Sequence, residues 1–470
     1  MEKAFDIPVH SIILMIGPVN SGKSHLCKNK LVHDLYKNSR PDKPTNIQNI
    51  SLEDIQRGLG QLSNDTFHSN SREMEVVRPQ ALEILLHRVN VVSSYPVNAE
   101  YIIVDANGMD KSLRSELTLI AKKNKYNIGV VILDYKDKKD YFKHIPEHED
   151  DEGVKLYNTI INVGVKALRS KVIPSIKKND FKFIHKIKNN DFNSLEFTSS
   201  NFKSFSSKVL NPNTEFLIIG DVHGCLDELK EIIEDDGFEI YKSGIIKERP
   251  GHQVLLLGDF VDKGPQIKDT IEFVHKNCKR GTMLTLIGNH ENFVVKFLRG
   301  EIKRDANITD DFLRTYMDTI FEIEDDEVSR KRLFEIVDNS GEFYIHKNFI
   351  ATHAPCKEKY LGKVDSKSLR AQRMIGYPKR ADFGSDESHI EGINGFFGFL
   401  IDESSGDKPD HFFGHVQTRR MMTVNKFNLD TGCVSGGNLT SAKIYKDGSK
   451  VFWSLDSKQK KTKDLNEFFK

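Results

Sequence analysis

Three short stretches carry residue types that bind divalent cations, and each follows an apolar run that stops at a glycine. FLIIGDVHG delivers Asp221 and His223, LLLGDFVDKG delivers Asp259 and Asp262, and LTLIGNHEN delivers Asn289, His290 and Glu291. Carboxylate, carboxamide and imidazole donors arriving together suit a hydrolytic metal cluster. A fourth stretch, Gly17-Pro-Val-Asn-Ser21-Gly22-Lys23-Ser24, fits GxxxxGK[ST]. Its backbone N–H groups would curl around phosphate oxygens, with Lys23 reaching the β and γ phosphates and Ser24 a Mg²⁺ ion. Asp105, ending YIIVD, is placed to hold that magnesium or its water shell. Asp54, in SLEDIQRGL, is a candidate base for a substrate hydroxyl. A strand-end turn residue and an ordinary helix-start aspartate are the plainer readings of these two.

Elements of two kinds must position these residues. Before residue 190, buried apolar runs at 11–17, 101–108 and 127–135 alternate with helical patterns starting at 24 and at 112, and 180–187 reads as a closing strand. That alternation predicts a parallel sheet whose ligand sites lie at the C-terminal strand tips. From 189 to 212 the period fails in a Ser-, Asn- and Lys-rich stretch with isolated Phe residues. A linker is expected there, with some of its phenylalanines docked. Short strands then carry the chain to about 456. The division is therefore 1–192, a linker at 193–212, a second domain at 213–456 and a solvated basic tail at 457–470.

The 470 residues suit two or three domains, and 38% hydrophobic content supports real cores. Lys plus Arg (69) nearly cancels Asp plus Glu (68), so any surface for a polyanion must be local. Cys27, Cys225, Cys278, Cys356 and Cys433 form no CxxC pair and are read as buried, reduced thiols. The first apolar run is too short for a membrane span and no cleavage site follows it. A cytoplasmic protein without membrane attachment is expected.

Asp221-x-His223, Gly258-Asp259-x-x-Asp262, Gly288-Asn289-His290-Glu291, His353 and Gly414-His415, in that order, resemble the calcineurin-like metallophosphoesterases. The resemblance implies a β-sandwich flanked by helices and two divalent transition metals about 3.5–4 Å apart, drawn from Mn²⁺, Fe and Zn²⁺ with Mn²⁺ expected first. Asp259 is then the bridge, Asp221 and His223 hold one ion, and Asn289, His353 and His415 the other. His290 becomes the general acid with Asp262 fixing its ring, unless the two merely pack together. Asp430, in LDTGCVSGG, matches the polynucleotide phosphatase branch and belongs in or beside the metal shell. Two departures stand out: Lys263 replaces the arginine that many relatives use on substrate phosphate, and Gln417 stands where GHxH would have a second histidine. His346, His389 and His411 match nothing and are read as core or surface residues.

The first segment resembles the kinase module of bacterial polynucleotide kinase–phosphatases through Gly17–Ser24, Ser51…Asp54-Ile-Gln-Arg57-Gly-Leu, Val104-Asp105-Ala-Asn and Arg114. An α/β P-loop kinase domain using ATP and Mg²⁺ is thereby implied, with Asp54 as base, Arg57 on an acceptor phosphate and Arg114 supporting either role. The family's arginine-rich lid is missing, since 115–168 contains no arginine. Lys138 and Lys143 are its substitutes, unless the module only binds nucleotide. Together the two resemblances imply a nucleic-acid end-healing enzyme. It would phosphorylate 5′-hydroxyls and remove 3′ or 2′,3′-cyclic phosphates in RNA repair, acting on RNA or DNA ends. Sealing falls to a separate ligase; a homodimer is left open, and Arg370, Arg373 and Arg380 either meet the polynucleotide or face solvent. The alternative is a metallophosphatase of phosphoproteins or dinucleoside polyphosphates with a regulatory nucleotide-binding domain.

Overall fold

Continuous burial, rather than alternation, marks the strands of the first half. Every residue of Ser11–Ile16 and Tyr101–Asp105 is buried, as befits strands covered on both faces. In the computed structural model, which describes residues 3–37, 39–60, 72–143, 151–302, 316–374, 403–418 and 421–460, the chain divides into Met1–Ser206 and Ser207–Lys470.

The first unit contains β1 (Lys3–Asp6), β2 (Ser11–Ile16), β3 (Ile47–Ser51), β4 (Tyr101–Asp105), β5 (Asn127–Leu133), β6 (Phe183–Ile187) and β7 (Leu195–Thr198). Its main sheet runs β3-β4-β2-β5-β6 with every pairing parallel. The helix Lys111–Asn124 covers it through Leu113, Leu117 and Ala121, four residues apart and so on one face. Asp110 starts that helix by accepting from Ser112 N at 2.8 Å. The stretch 193–212 is not a linker throughout. Leu195–Thr198 pairs in parallel with β1, a short helix follows at Phe202–Ser206, and Phe192, Phe197, Phe202 and Phe205 are buried. Each aromatic packs separately, which is why the sequence shows no period there.

The second unit contains β8 (Glu215–Ile219), β9 (His252–Leu256), β10 (Met283–Thr285), β11 (Phe343–Ile345), β12 (Phe349–Thr352), β13 (Asp410–Phe413), β14 (Met421–Met422), β15 (Lys426–Asn428), β16 (Asn438–Ile444) and β17 (Lys450–Asp456). Among the described residues they form two sheets, β10-β9-β8-β16-β17 and β11-β12-β13-β15-β14. Phe216, Ile218 and Leu255 of one sheet share a core with Phe349, Ala351, Phe412 and Phe427 of the other, so the sheets face each other as a sandwich. The alternate residues Leu217, Ile219, Val254 and Leu256 pack instead with Leu229, Ile233, Ile271 and Val274, from the helices Leu226–Asp235 and Ile267–Arg280. Period-two alternation thus supplies both interfaces. Ser457–Gln459, expected to be solvated tail, folds back: Ser457 N donates to Gly437 O and Lys458 N to Glu228 Oε1, both at 2.9 Å.

Candidate metal centre

Six strands end at one place. β8, β9 and β10 are mutually parallel, as are β12, β13 and β15. The residues just beyond their C-terminal ends are Asp221, Asp259 and Asn289 from the first sheet and His353, His415 and Asp430 from the second. Asp259 Oδ2 lies 3.3 Å from His353 Nε2, 3.8 Å from His290 Nε2 and 3.9 Å from His223 Nε2. His353 Nε2 is also 3.0 Å from Asn289 Oδ1 and 3.2 Å from His415 Nδ1. These turns are tight. Five of the nine non-glycine residues with positive φ among the described residues are His223, Asp259, Asp262, Lys263 and His415, at φ of 44°, 46°, 65°, 68° and 69°. Left-handed backbone at non-glycine positions is uncommon, and its concentration here marks the site as functional. Two glycines permit the approach: a Cβ on Gly288 would lie 2.0 Å from Asp259 Oδ1, and one on Gly414 2.0 Å from Asp221 Oδ1.

The ring orientations suit cations. His223 Nδ1 sits 2.8 Å from Val261 O and His353 Nδ1 2.7 Å from Leu257 O. Each backbone carbonyl fixes the proton on Nδ1 and leaves the Nε2 lone pair facing Asp259. Asp221 Oδ1 is buried without a hydrogen-bond partner, although Oδ2 accepts from His415 N at 3.0 Å. An orphaned carboxylate oxygen beside converging imidazoles fits divalent cations held by mixed N and O donors.

The charges agree. Burial pulls His415 down to about 3, with neighbouring His353 adding to it, and burial with Lys263 holds His223 well below the usual imidazole range. Both are neutral, ligand-ready rings. Burial opposes ionisation of Asp259, yet His353 and His290 hold it well below the usual carboxylate range. Burial likewise works against charge on His353, but Asp259 lifts it to about 10. Burial and Asp430 raise Asp221, while burial raises Asp430 itself to about 6. Excess negative charge is therefore suppressed until cations arrive.

His290 points elsewhere from Asn289. Its Nδ1 lies 2.6 Å from Asp262 Oδ2, and Asp262 Oδ1 accepts from Thr319 N at 3.0 Å. Tyr316 packs its ring 4.6 Å from the His290 ring, and its hydroxyl accepts from Asn289 Nδ2 at 3.2 Å. Glu291 takes a different part from its neighbours. Its two oxygens accept from Asp259 N, Phe260 N, Val261 N and Gly288 N at 2.7–3.2 Å. It is a buried brace for the turn that presents Asp259.

The pocket above these groups holds about 190 Å³. Lys263, Gln417 and Ser435 line it together with Asp430.

Residues 214–443 match the family model of the calcineurin-like phosphoesterases. The asymmetrical bis(5′-nucleosyl)-tetraphosphatase PrpE of Halalkalibacterium halodurans is 30% identical over 245 residues, 49% of this chain and 90% of that protein. The chain belongs to the calcineurin-like phosphoesterase family. The protein of the same name from Oceanobacillus iheyensis is 28% identical over 253 residues, 52% of this chain and 92% of its own. Within the phosphoesterase unit the structure gathers every metal-ligand candidate of the sequence, with Lys263 Nζ 3.1 Å from His223 Nε2. His346 and His411 are buried away from the pocket, whereas His389 and Arg380 lie outside the described residues. Sequence reasoning missed Tyr316, which carries no motif. It noted Gln417 only as an absent histidine, although its Nε2 is buried and unpartnered.

In the first unit, the Gly17–Ser24 loop follows β2 and leads into the helix beginning at Lys23, with Gly22 at φ 82°. Lys23 Nζ donates to Gly17 O at 3.1 Å and Pro18 O at 2.8 Å. Ser21 Oγ donates to Pro18 O at 2.8 Å. Burial raises Asp105, and a hydrogen bond from Ser24 works against that rise. Asp54 follows β3, which borders β4 and its terminal Asp105; it is exposed, 3.8 Å from Lys28 Nζ. Arg57 Nη2 lies 2.7 Å from Glu53 Oε1. Arg114 departs from expectation. It is buried, and its guanidinium donates to Gly108 O, Met109 O and Ser175 Oγ. Those bonds hold the loop after β4 to the helix near 175 and leave no fork for substrate. Lys143 pairs with Asp140 at 2.7 Å, and Lys138 opens a short helical turn.

Proposed function

We propose that the second unit hydrolyses a phosphoanhydride or phosphoester of a nucleotide, with dinucleoside polyphosphates as the favoured substrate class. The observation that carries the reading is the convergence of six strand tips on one open pocket with His290 beside it. The two relatives, named as tetraphosphatases and spanned nearly end to end by this chain, favour the nucleotide class. Asp221, His223 and Asp259 would hold one divalent ion, and Asp259, Asn289, His353 and His415 a second, with Asp430 beside Asp221. When bound, the ions polarise the phosphorus centre and neutralise charge on the attacking and leaving oxygens. His290 donates its Nε2 proton to the leaving oxygen while Asp262 steadies the Nδ1 side. Lys263 grips a substrate phosphate as a point charge rather than a fork. The Gly17–Ser24 unit binds a nucleotide, with Lys23 leaving its loop carbonyls for phosphate, and acts as a regulatory domain. Incubation with diadenosine tetraphosphate and Mn²⁺ should yield unequal nucleotide products. Release of phosphate from 3′-phosphorylated RNA with no cleavage of the dinucleotide would overturn the substrate assignment.

A second reading, end healing with 5′-phosphorylation by ATP and Mg²⁺, is favoured by one observation. Asp54 stands at the strand tip next to Asp105 and the Gly17–Ser24 loop, where an acceptor hydroxyl would meet a γ-phosphate. RNA or DNA ends and a separate ligase would then be the partners. Transfer of label from ATP to a 5′-hydroxyl oligonucleotide, lost in Asp54→Ala, would establish it. Absence of transfer in the unaltered protein removes it.

A further inference from the structure

Beside the pocket, whose wall includes Cys433, lies a second group of donors that the hydrolytic chemistry does not use. Cys225 precedes the helix Leu226–Asp235, Glu228 sits in its first turn, and Cys433 opens the turn Cys433–Ser435. The two thiol sulfurs and a carboxylate oxygen of Glu228 lie within 4.8 Å of one another, and all three residues are buried. Glu228 is 0% exposed. Its Oε1 accepts from Lys458 N at 2.9 Å and Gln459 Nε2 at 3.1 Å, while Oε2 is buried with no hydrogen-bond partner. Burying a carboxylate oxygen without a donor is costly, and a cation removes that cost.

We propose that Cys225, Glu228 and Cys433 form a separate cation site, for a soft divalent ion of the Zn²⁺ class, which ties the turn after His223 to the turn after Asp430. Thiolate sulfur selects soft cations, whereas Asp221, His223, Asp259, Asn289, His353, His415 and Asp430 offer only N and O donors. Zinc takes two sulfurs and an oxygen readily, at bond lengths that set donor separations of about 3.5–3.8 Å in a tetrahedron. The three donors lie within 4.8 Å of one another, so each pair closes by at most about 1.3 Å to reach that geometry. Ser457–Gln459, folded over Glu228, shields the site from bulk water. Its role is to hold the two turns in register, since Cys225 is two residues from His223 and Cys433 three from Asp430.

Cobalt substitution of the reduced full-length protein tests this, because thiolate-to-cobalt charge transfer absorbs in the near ultraviolet and N/O-bound cobalt does not. The expected result is a near-ultraviolet band that Cys225→Ser weakens and the pair Cys225→Ser with Cys433→Ser abolishes, while the visible cobalt bands of the pocket persist. Glu228→Gln, which keeps the side chain's shape, should retain the fold and weaken cobalt binding at the near-ultraviolet band alone. No such band in the unaltered protein, an undiminished band in Cys225→Ser, or a band that survives replacement of both cysteines overturns the proposal. So does an unchanged titration of that band in Glu228→Gln. A denatured thiol count of three rather than the five cysteines of the chain would overturn it too, by showing a disulfide in its place.

Discussion

Replacing Asp262 by Asn separates the proposed acid chemistry from the fold. Asp262 Oδ1 is occupied by Thr319 N at 3.0 Å and Oδ2 by His290 Nδ1 at 2.6 Å. Asparagine can keep the first bond and present its amide N–H to the second, so the turn survives while the charge and the tautomer change. His290 then carries its proton on Nε2 as a neutral ring, with no carboxylate to support the cationic form that protonates a leaving group well. A positioned acid contributes about 10²–10⁴ in rate, so we expect kcat on a dinucleoside polyphosphate to fall about 10²–10³-fold with KM nearly unchanged. That is about 2.7–4 kcal/mol of transition-state stabilisation. A nitrophenyl phosphodiester, whose leaving oxygen needs little protonation, should lose less than about tenfold, because this acid term is the one removed. Steady-state rates on both substrates, at matched metal content, make the comparison. Equal losses on the two substrates, or a loss under about threefold on the nucleotide, would refute the assignment of His290 as acid.

Other outcomes follow from the same geometry. Glu291→Gln turns one acceptor oxygen towards donors as an amide and leaves two of the four backbone N–H groups unpaired. At about 1–3 kcal/mol for each of the two buried donors, urea unfolding should show about 2–6 kcal/mol of lost stability. Cation binding requires the ionised forms of Asp221 and Asp430, both raised by burial, and the neutral form of His353. Because His353 sits at about 10 and Asp430 at about 6, Mn²⁺ affinity should fall by about tenfold per pH unit between those values and more steeply below about 6, with proton release visible by calorimetry in paired buffers. Chelation of the metals should abolish hydrolysis, and Mn²⁺ should restore it. Lys23→Ala removes the charged donor of the Gly17–Ser24 loop. Nucleotide affinity of the unit should drop about tenfold or more by equilibrium dialysis, as expected for loss of a hydrogen bond to a charged phosphate.

Residue types and their order made the pocket legible, because each ligand follows an apolar strand and a sheet delivers strand ends to one edge. The direction of a lone pair is not written in that order. Asn289, His290 and Glu291 are consecutive, yet one faces the cluster, one leans on Asp262 and one turns inward to four backbone donors. Arg114 looked like a phosphate ligand because charge is visible and burial is not. The phenylalanines of 192–205 showed no period because each is an anchor within an element of three to five residues, too short to display a helical or strand repeat. Gln417 was legible only as a departure from a pattern; its buried amide facing the pocket needed the fold.

The sheet order sets when this enzyme can exist during synthesis. β8, which ends at Asp221, is flanked by β9 and by β16, a strand more than two hundred residues later. A nascent chain that has reached only the His290 turn therefore has the first sheet's ligands but an open edge on β8, with the second sheet not yet synthesised. Contacts so distant in sequence form late and slowly. The first sheet is closed only when β16 pairs with β8, and until then the bare flank of β8 is an unpaired strand edge open to wrong partners.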